Sequence, residues 1–394
     1  MAHMKKLKVL VFEYITGGGL NKSDLSESLA TEGLLMLQSL VDNLAEIDAV
    51  EPIIMLDHRI LGKASFNAVD LSSAKPSPTG EGWMRGNKNK EKDHVKSPHP
   101  SPLLQGEGGH ILNSAALGLP PNPQNIHIIT PEQECCQEFT RLMPLCDAVW
   151  PIAPESDAIL QTLCEEVEHS GKLLLTSSAS TVAIAGNKWL TYGHLQRHNI
   201  AAVPTKKLTD FCFSSGEWII KTVDGVGCAD SYVIADQQDF DTLTAALDKA
   251  KYIVQPHLQG EKTSLSCLFK NGRGWLVCAN RQHFDLIDKQ YHLIGITVNF
   301  TSNTARYLDL VNAVAKAMPG LWGYAGIDLI ETVGQLLILE INPRVTTSYA
   351  GIYAALGINC ARAVVELLTD DPVLKPIRNQ RVNIKIDGKE NHAS

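Results

Sequence analysis

Three side chains with oxygen ligands are grouped late in the chain. Asp328 lies in an apolar segment that runs to Gly334, and Glu340 and Asn342 lie in the apolar segment that follows. If these segments form a hairpin that turns about Gly334, Asp328 lies opposite Glu340, because each is six residues from that glycine. Side chains alternate along a strand, so Asn342 points to the same face as Glu340. The pattern therefore brings three oxygen ligands together from two adjacent strands.

This group is typical of a magnesium site. Hard oxygen donors, with no His or Cys among them, suit Mg²⁺ that is shared with substrate phosphates. The alternative is the polar outer face of an ordinary hairpin. Residues 336–339 make the second strand apolar, however, and an unpaired carboxylate in such a strand would be costly. We therefore predict a metal site at Asp328, Glu340 and Asn342.

A second candidate site begins at a lysine. Lys221 ends the apolar segment 218–221, and the loop 224–228 that follows contains Gly225 and Gly227. The lysine supplies a point charge, and the glycines let backbone N–H groups approach phosphate oxygens. It is not a P-loop, since the chain has no GxxxxGK[ST] motif. The alternative is an ordinary hairpin with a solvated lysine.

Two weaker signals lie nearby. The apolar segment 252–254 leads into an irregular turn, whose backbone groups can face the edge of a base, and Glu261 after it can accept hydrogen bonds from ribose hydroxyls. The residues of this turn are Gln255, Pro256, His257 and Leu258. Upstream, Lys188 lies at the start of a predicted helix, where the positive end of the helix dipole attracts anions.

The elements that must position these residues fall into two kinds. Before residue 180, apolar strand-like segments alternate with segments of helical spacing, which predicts a parallel sheet with helices on its faces. The predicted strands are 7–14, 50–56, 126–130, 147–151 and 173–176. After residue 180 the strands come as hairpins with helices between them, which indicates an α+β unit. The predicted hairpins pair 217–222 with 230–235, 263–269 with 275–281, and 324–331 with 336–342, and the helices are 239–250, 303–317 and 349–368.

These patterns divide the chain at about residue 180, with an N-terminal α/β domain over 4–180. Residues 72–110 interrupt that domain with many prolines and glycines, and we expect a mostly disordered insertion, because so few apolar side chains cannot offset the entropy of ordering. The alternative is a loop that binds a partner. The end of the chain, 376–394, is polar and is expected to fray.

Composition narrows the class of protein. The chain has 394 residues and a formal net charge of −8, which argues against the basic face that nucleic-acid binding requires. Apolar residues make up 44%, but no run is long enough to span a membrane. The start of the chain runs directly into strand-like residues 7–12, and the nine cysteines include no CxxC pair. We therefore expect a cytoplasmic protein with reduced thiols, without a membrane or a nucleic acid as partner.

With these motifs in this order, residues 181–370 resemble the ATP-grasp superfamily of carboxylate–amine ligases, and the first half resembles the α/β domain that precedes it in such enzymes. The resemblance implies a small subdomain over 181–257 and a large subdomain with the metal site over 258–375. It implies ATP as co-substrate and Mg²⁺ as cofactor, with two ions bound and Mn²⁺ able to replace them. It also implies roles for the residues: Lys188 and Lys221 for the phosphates, 224–228 as the loop over them, 254–258 as the adenine-facing hinge, Glu261 for the ribose, Asp328, Glu340 and Asn342 for the metal, and Arg281 and Arg344 for the transferred phosphoryl group.

The chain is further similar to the tyramine–glutamate ligase group of methanofuran-type cofactor biosynthesis. The matching stretches are 12–14, 17–19, Glu32-Gly33, Arg281-Gln282 and Ser348-Tyr349. The resemblance implies that ATP phosphorylates the γ-carboxylate of L-glutamate and that tyramine or tyrosine attacks the acyl phosphate, so both substrates are small molecules. A homodimer is left open.

Three other functions stay open at this point. One is another ATP-grasp amino-acid or peptide ligase, similar to D-alanine–D-alanine ligase. The second is a catalytically silent nucleotide-binding module, which would have no need for metal-binding carboxylates. The third is a dinucleotide-binding reductase, but the Gly17–Gly19 run does not match the GxGxxG fingerprint.

Overall fold

The structure is a computed structural model. It describes residues 5–61, 125–226 and 231–386, together with the backbone of two short strands at 75–76 and 109–112. Within these ranges, no helix is long and apolar enough to cross a membrane. The fold class predicted from the sequence is confirmed, because a parallel α/β domain precedes an α+β unit built on two largely antiparallel sheets.

The N-terminal domain is built on a parallel sheet. The strands in the first part of the chain are β1 Leu7–Glu13, β2 Val50–Asp57, β3 Lys75–Pro76, β4 Gly109–Leu112, β5 Ile126–Ile129, β6 Ala148–Ile152 and β7 Leu173–Leu174. All except β4 form one sheet in the order β3-β5-β2-β1-β6-β7. Val9, Leu10 and Val11 in the central strand β1 are fully buried, because helices cover both faces of the sheet.

Helix α1 is the longest helix of the described residues. The helices of this domain are α1 Glu27–Ala45, α2 Cys135–Leu142, α3 Ile159–His169 and α4 Ala179–Ala185. Ser26 caps α1, since its hydroxyl accepts a hydrogen bond from the Leu29 N–H at 3.3 Å. Leu37, Leu40 and Leu44 recur at helical spacing and pack into the core. The same helix also reaches the second half of the chain, where Tyr349 Oη donates to Asn43 Oδ1 at 3.1 Å.

A small four-stranded sheet follows. Its strands are β8 Lys206–Lys207, β9 Trp218–Thr222, β10 Ser231–Ile234 and β11 Tyr252–Pro256, in the order β10-β9-β11-β8. Helix α5 Lys188–Arg197 precedes this sheet, and helix α6 Gln237–Thr244 lies between β10 and β11. Ile220, Phe240 and Val254 form its own small core. The predicted hairpin of β9 and β10 is confirmed, with Lys221 opposite Ser231.

The third sheet has seven strands and contains the other two predicted hairpins. Its strands are β12 Glu261–Lys270, β13 Arg273–Ile287, β14 Gln290–Val298, β15 Gly323–Thr332, β16 Gln335–Asn342 and β17 Arg381–Lys385, with β4 at the edge. The order is β16-β15-β12-β13-β14-β17-β4. Its helices are α7 Ala305–Ala317, α8 Ile352–Leu356 and α9 Cys360–Glu366. The hairpins of β12 with β13 and of β15 with β16 are confirmed.

Two predictions about the end of the chain are wrong. The polar segment after residue 376 was expected to fray, but β17 pairs with β14 and buries Val382 and Ile384. These two residues alternate with polar neighbours, as expected for a strand with one solvated face, so composition hides the strand. The single helix predicted over 349–368 is divided into α8 and α9, because Gly357 adopts a left-handed φ of 69° and ends α8.

The predicted insertion at 72–110 contributes strands at both of its ends. β3 pairs with β5 of the first sheet, and β4 pairs with β17 of the third. The disorder predicted for this segment otherwise falls on residues outside the described ranges.

Candidate functional site

A cavity of about 600 Å³ lies where the three sheets meet. Each sheet contributes to its lining: Glu13 at the end of β1, Ile219 of the small sheet, and Asp328 of the large sheet. In open parallel sheets, ligands bind outside the carboxyl ends of the strands. The end of β6, at Ile152, opens into the same cavity. The parallel domain therefore forms one wall of the site and the two C-terminal sheets form the others.

The three predicted metal ligands converge in this cavity. Asp328 of β15 is the register partner of Glu340 of β16, as predicted. Asn342 Nδ2 donates to Asp328 Oδ2 at 3.2 Å, and Gln282 Nε2 donates to Asp328 Oδ1 at 3.3 Å. Their proximity agrees with the proposed site, while their role as metal ligands stays a prediction.

A β-bulge brings about this convergence. From the turn as far as Leu329 and Ile338, β15 and β16 pair residue for residue, and both of these side chains pack into a core on the far face of the sheet. At an unbroken register Asp328 would face Leu339, and Glu340 would point to the same core as Ile338. The register shifts by one residue at Asp328/Leu329, so that Leu339 and Glu340 both line the cavity.

Lys188 reaches the same carboxylates from helix α5. Its Nζ lies 3.0 Å from Glu340 Oε2, and its side chain is only 7% exposed. The same ammonium donates to the Gly225 carbonyl, and the Lys188 backbone N–H donates to the Val223 carbonyl at 2.8 Å. Asn187 caps the helix by accepting from the Leu190 N–H at 3.0 Å. The start of α5 is thereby tied both to the glycine loop and to β16.

The surroundings shift the pKa values of the two carboxylates in opposite directions. Burial, followed by the neighbouring charge of Glu340, raises the pKa of Asp328. Burial would also raise the pKa of Glu340, but the ammonium groups of Lys188 and Lys221 outweigh it and lower that pKa. Lys221 lines the cavity, as predicted for a phosphate-binding lysine.

The donor set fits a hard divalent cation. Two half-buried carboxylates and an amide share one face of a hairpin, and the side-chain amides of Gln282 and Asn342 donate to Asp328. Oxygen ligands on this hairpin, with substrate phosphates to complete the shell, are what Mg²⁺ requires. Asp328, Glu340 and Asn342 would hold it.

Arg344 is held by an acid from the N-terminal domain. Its Nε and Nη2 donate to the two oxygens of Glu155, each at 2.9 Å, and its Nη1 donates to the Val345 carbonyl at 3.2 Å. The two side chains are 12% and 5% exposed. Arg344 lines the cavity, as its predicted role requires. The bidentate pair fixes the guanidinium plane and leaves further N–H groups for a ligand.

The structure does not bring Arg281 and Glu261 into the cavity, and their proposed roles stay predictions. Arg281 Nη2 donates to both oxygens of Glu261, at 3.0 and 3.1 Å, and the two side chains are 43% and 55% exposed. The guanidinium lies over Phe300, and neither residue lines the cavity. The reason is strand alternation, because the neighbours Lys262 and Gln282 face the cavity instead.

The predicted hinge lies where the small sheet joins the large one. Gln255 is buried, lines the cavity and donates to Thr205 Oγ1 at 2.9 Å. His257 bonds instead to Glu217 and Tyr291, and Pro256, His257 and Leu258 are outside the cavity lining. In the predicted phosphate loop, Gly225 accepts from Lys188, whereas Gly227 lies outside the described residues.

Sequence reasoning assigned no role to several residues of the site. Glu155 follows β6 at the carboxyl end of a parallel strand, a position that could have marked it as functional. Gln282 is the neighbour of Arg281 in β13. The sequence could have indicated its role only if it had shown which alternate side chains of that strand face the cavity. Glu13 and Glu32 lie in stretches that supported the resemblance, and both line the cavity.

Two domain families match this chain. The ATP-grasp domain matches residues 185–348, and the pre ATP-grasp 3 domain matches residues 111–182. The chain is 28% identical over 246 residues to the tyramine–L-glutamate ligase of Methanocaldococcus fervens, covering 62% of this chain and 70% of the relative. The corresponding ligase of Methanocaldococcus jannaschii is 28% identical over 240 residues, covering 61% of this chain and 65% of the relative.

The fold has counterparts among solved structures. A crystal structure of a protein from Archaeoglobus fulgidus, assigned to the ATP-grasp superfamily, superposes with a TM-score of 0.62 and 19% identity. The match covers 96% of this chain and 92% of the other. At 19% identity this similarity shows a shared fold, and the match extends over both halves of the chain.

Proposed function

Because this chain carries an ATP-grasp domain behind a pre-ATP-grasp domain, we propose that it is an ATP-dependent carbon–nitrogen ligase. The observation that carries the proposal is that Asp328, Glu340, Asn342 and Lys221 line one cavity, while Lys188 pairs with Glu340. Metal ligands and phosphate-binding lysines together are what phosphoryl transfer from ATP requires. A silent nucleotide-binding module has no use for two half-buried carboxylates that face each other.

The proposed substrates are L-glutamate and tyramine or tyrosine. Support comes from the two relatives whose names are tyramine–L-glutamate ligase and from the matching stretches of both halves of the chain. We propose that the γ-carboxylate of glutamate is activated, as part of methanofuran-type cofactor biosynthesis. A different amino-acid pair is the alternative, and the substrate panel below distinguishes the two.

The mechanism follows from the charges around the cavity. A carboxylate oxygen of the acid attacks the γ-phosphorus of ATP, which forms an acyl phosphate and releases ADP. The amine nitrogen then attacks the acyl carbon; a C–N bond forms, the C–O bond to phosphate breaks, and phosphate and a proton leave. Lys221 and Lys188 orient the phosphates. The guanidinium of Arg344, held by its pair with Glu155, stabilises the negative charge of the phosphoryl group during transfer. Bound Mg²⁺ would supply further neutralisation of phosphate charge.

The test is release of ADP by the purified protein with a panel of acids and amines in the presence of Mg²⁺. We expect ADP only when glutamate and tyramine or tyrosine are both present, together with a product whose mass equals their sum less one water. ADP with a different pair would identify another ATP-grasp ligase. No ADP with any pair would contradict the ligase proposal. The cytoplasmic location stays a prediction, and light scattering tests whether the protein forms the homodimer that the sequence leaves open.

Lys221→Ala is expected to weaken ATP binding by about ten- to a hundredfold, because a charge-assisted contact is worth roughly 1.5–3 kcal/mol. Lys221 lines the cavity on the small sheet, where we propose that the phosphates bind, so the affinity for the amine should change much less. The measurement is calorimetric titration with a non-hydrolysable ATP analogue and Mg²⁺. Lys249→Ala, an exposed lysine of the same subdomain, is the control and should leave the affinity unchanged. Unchanged affinity in Lys221→Ala would mean that the phosphates bind elsewhere.

A further inference from the structure

One part of the cavity is lined by none of the residues proposed for the nucleotide or the metal. It is the wall that the N-terminal domain contributes through the end of β1, the turn after it and helix α1. The residues of this wall include Glu13, Tyr14, Leu20, Leu29, Glu32 and Met36. A site that joins two substrates needs room for both beside the nucleotide. This wall is therefore the place to seek the second substrate.

Glu13 is satisfied by its own turn. Its carboxylate accepts from the Ile15 N–H at 3.2 Å, from the Thr16 N–H at 2.7 Å and from Thr16 Oγ1 at 2.6 Å. Gly33 makes room for it, since a Cβ there would lie 2.5 Å from Glu13 Oε2. Three donors on a buried carboxylate indicate a structural role, which holds the turn after β1 against α1.

Glu32 differs from Glu13 in what its oxygens meet. Within the described residues, its hydrogen-bond donor is Thr347, whose Oγ1 lies 3.1 Å from Glu32 Oε2. The other oxygen, Oε1, accepts no hydrogen bond from those residues. Thr347 belongs to the ATP-grasp part of the chain, so Glu32 lies where that part meets the N-terminal domain. The carboxylate is thus anchored at one oxygen and retains acceptor capacity at the other.

The same face of α1 provides an apolar surface. Leu29, Glu32 and Met36 follow one another at spacings of three and four residues, which places them on one side of the helix. All three line the cavity. A carboxylate between two apolar side chains matches a ligand with a cationic end and a hydrocarbon body, as most ligand sites combine an apolar lining with a few placed polar groups.

The charge of this end of the cavity favours a cation. Glu13 and Glu32 line this end of the cavity, and the guanidinium of Arg344 lines it as well. Arg344 is already paired with Glu155, so its charge is largely compensated at close range. The other end holds Lys188 and Lys221 beside Asp328 and Glu340, and a divalent cation bound there would make its net charge positive. A positively charged substrate would therefore enter at α1 and a negatively charged one at the lysines.

We propose that Glu32 receives the ammonium group of the amine substrate, with Leu29 and Met36 in contact with its hydrocarbon part. The inference rests on the proposed ligase function and names the residue of that site which selects the amine. An ammonium brings three N–H donors to a half-buried carboxylate that has one oxygen without a hydrogen bond from the described residues. The amine is bound here before it loses its proton and attacks.

The test is Glu32→Gln, which keeps the shape of the side chain and an oxygen for Thr347. We expect the KM for the amine to rise by about ten- to a hundredfold, because a charge-assisted contact is lost. The KM values for ATP and for the acid should stay within about twofold of the wild type, since their groups bind at the lysine end. Glu27→Gln is the matched control, because Glu27 lies on the same helix, is exposed and is outside the cavity; it should leave all three values unchanged.

A second readout separates amine binding from activation of the acid. Hydroxylamine is uncharged at neutral pH and traps an acyl phosphate as a hydroxamate. Glu32→Gln should form hydroxamate as fast as the wild type, since a neutral nucleophile has no need of the carboxylate. If Glu32→Gln forms neither hydroxamate nor amide, the proposal is overturned, because Glu32 would then serve the fold or the binding of the acid.

Leu29→Lys provides an independent variant. Leu29 is 44% exposed, so a lysine is tolerated there, and its ammonium one turn from Glu32 should repel the substrate and raise the amine KM. An unchanged amine KM in both variants, with an active wild type, would refute the role of Glu32 and leave the ligase function standing. A wild type that forms neither ADP nor hydroxamate would instead refute the ligase function itself.

Discussion

Glu340→Gln is expected to lower kcat by about a thousandfold or more, because catalysis of phosphoryl transfer depends mainly on neutralised and positioned charge. Glu340 faces Asp328 across the hairpin and lies 3.0 Å from Lys188. Glutamine keeps the shape but removes the negative charge that a divalent cation and both lysines share. The measurement is ADP release at saturating substrates, with Mg²⁺ varied from trace to excess.

The protein itself should remain folded in this variant. Lys188 keeps its hydrogen bond to the Gly225 carbonyl, and the apolar register of β15 and β16 does not involve the carboxylate charge. Circular dichroism and the thermal midpoint check this. Glu261→Gln is the matched control, because Glu261 lies on the opposite face of the sheet in an exposed pair with Arg281, and its kcat should stay near that of the wild type. Activity of Glu340→Gln close to the wild type would remove Glu340 from the metal site.

Glu155→Ala is expected to destabilise the protein by about 3–5 kcal/mol, since it leaves the guanidinium of Arg344 buried without its partner. The pair has two hydrogen bonds of 2.9 Å and side chains that are 5% and 12% exposed. It also joins the loop after β6 to the segment after β16, so its loss weakens the contact between the two halves of the chain. Urea unfolding followed by tryptophan fluorescence measures the change.

Two further variants show whether burial is the cause. Asp371→Ala breaks the exposed pair with Arg273, whose side chains are 48% and 62% exposed, and should cost less than about 1 kcal/mol. The double variant Glu155→Leu with Arg344→Met removes both charges and should recover most of the stability without the activity. A cost for Glu155→Ala as small as that for Asp371→Ala would show that the Arg344 pair behaves as a solvated one.

Much of this protein could be predicted from local patterns. The alternation of buried strands and amphipathic helices before residue 180 predicts a parallel sheet, because only helices on both faces allow strands such as 9–11 to be apolar throughout. The hairpins after it follow from paired apolar segments around turn residues. The placement of Asp328, Glu340 and Asn342 on two neighbouring strands, and the lysine before a glycine loop, can also be predicted from the local sequence. Strands with one solvated face, such as β17, are not predicted in this way, because about half of their residues are polar.

What only the tertiary structure decided is the direction in which side chains point and which distant residues they meet. Asp328 faces Glu340 as expected, but the turn consists of two residues, Val333 and Gly334, and the shared face is restored only by a bulge in β16. A shift of one residue reverses every side chain of a strand, so no local pattern reveals it. The same parity turns Gln282 into the cavity and Arg281 out of it.

The pairing of Glu155 with Arg344 joins residues 189 positions apart in the chain. The contact of Glu32 with Thr347 joins residues 315 positions apart. Such pairs form because the N-terminal sheet docks its carboxyl edge against the large sheet, which buries both partners and makes an unpaired charge costly. The residue types that can perform the chemistry are thus readable in order along the chain. Their meeting around one cavity depends on the packing of three sheets and on one extra residue in a strand.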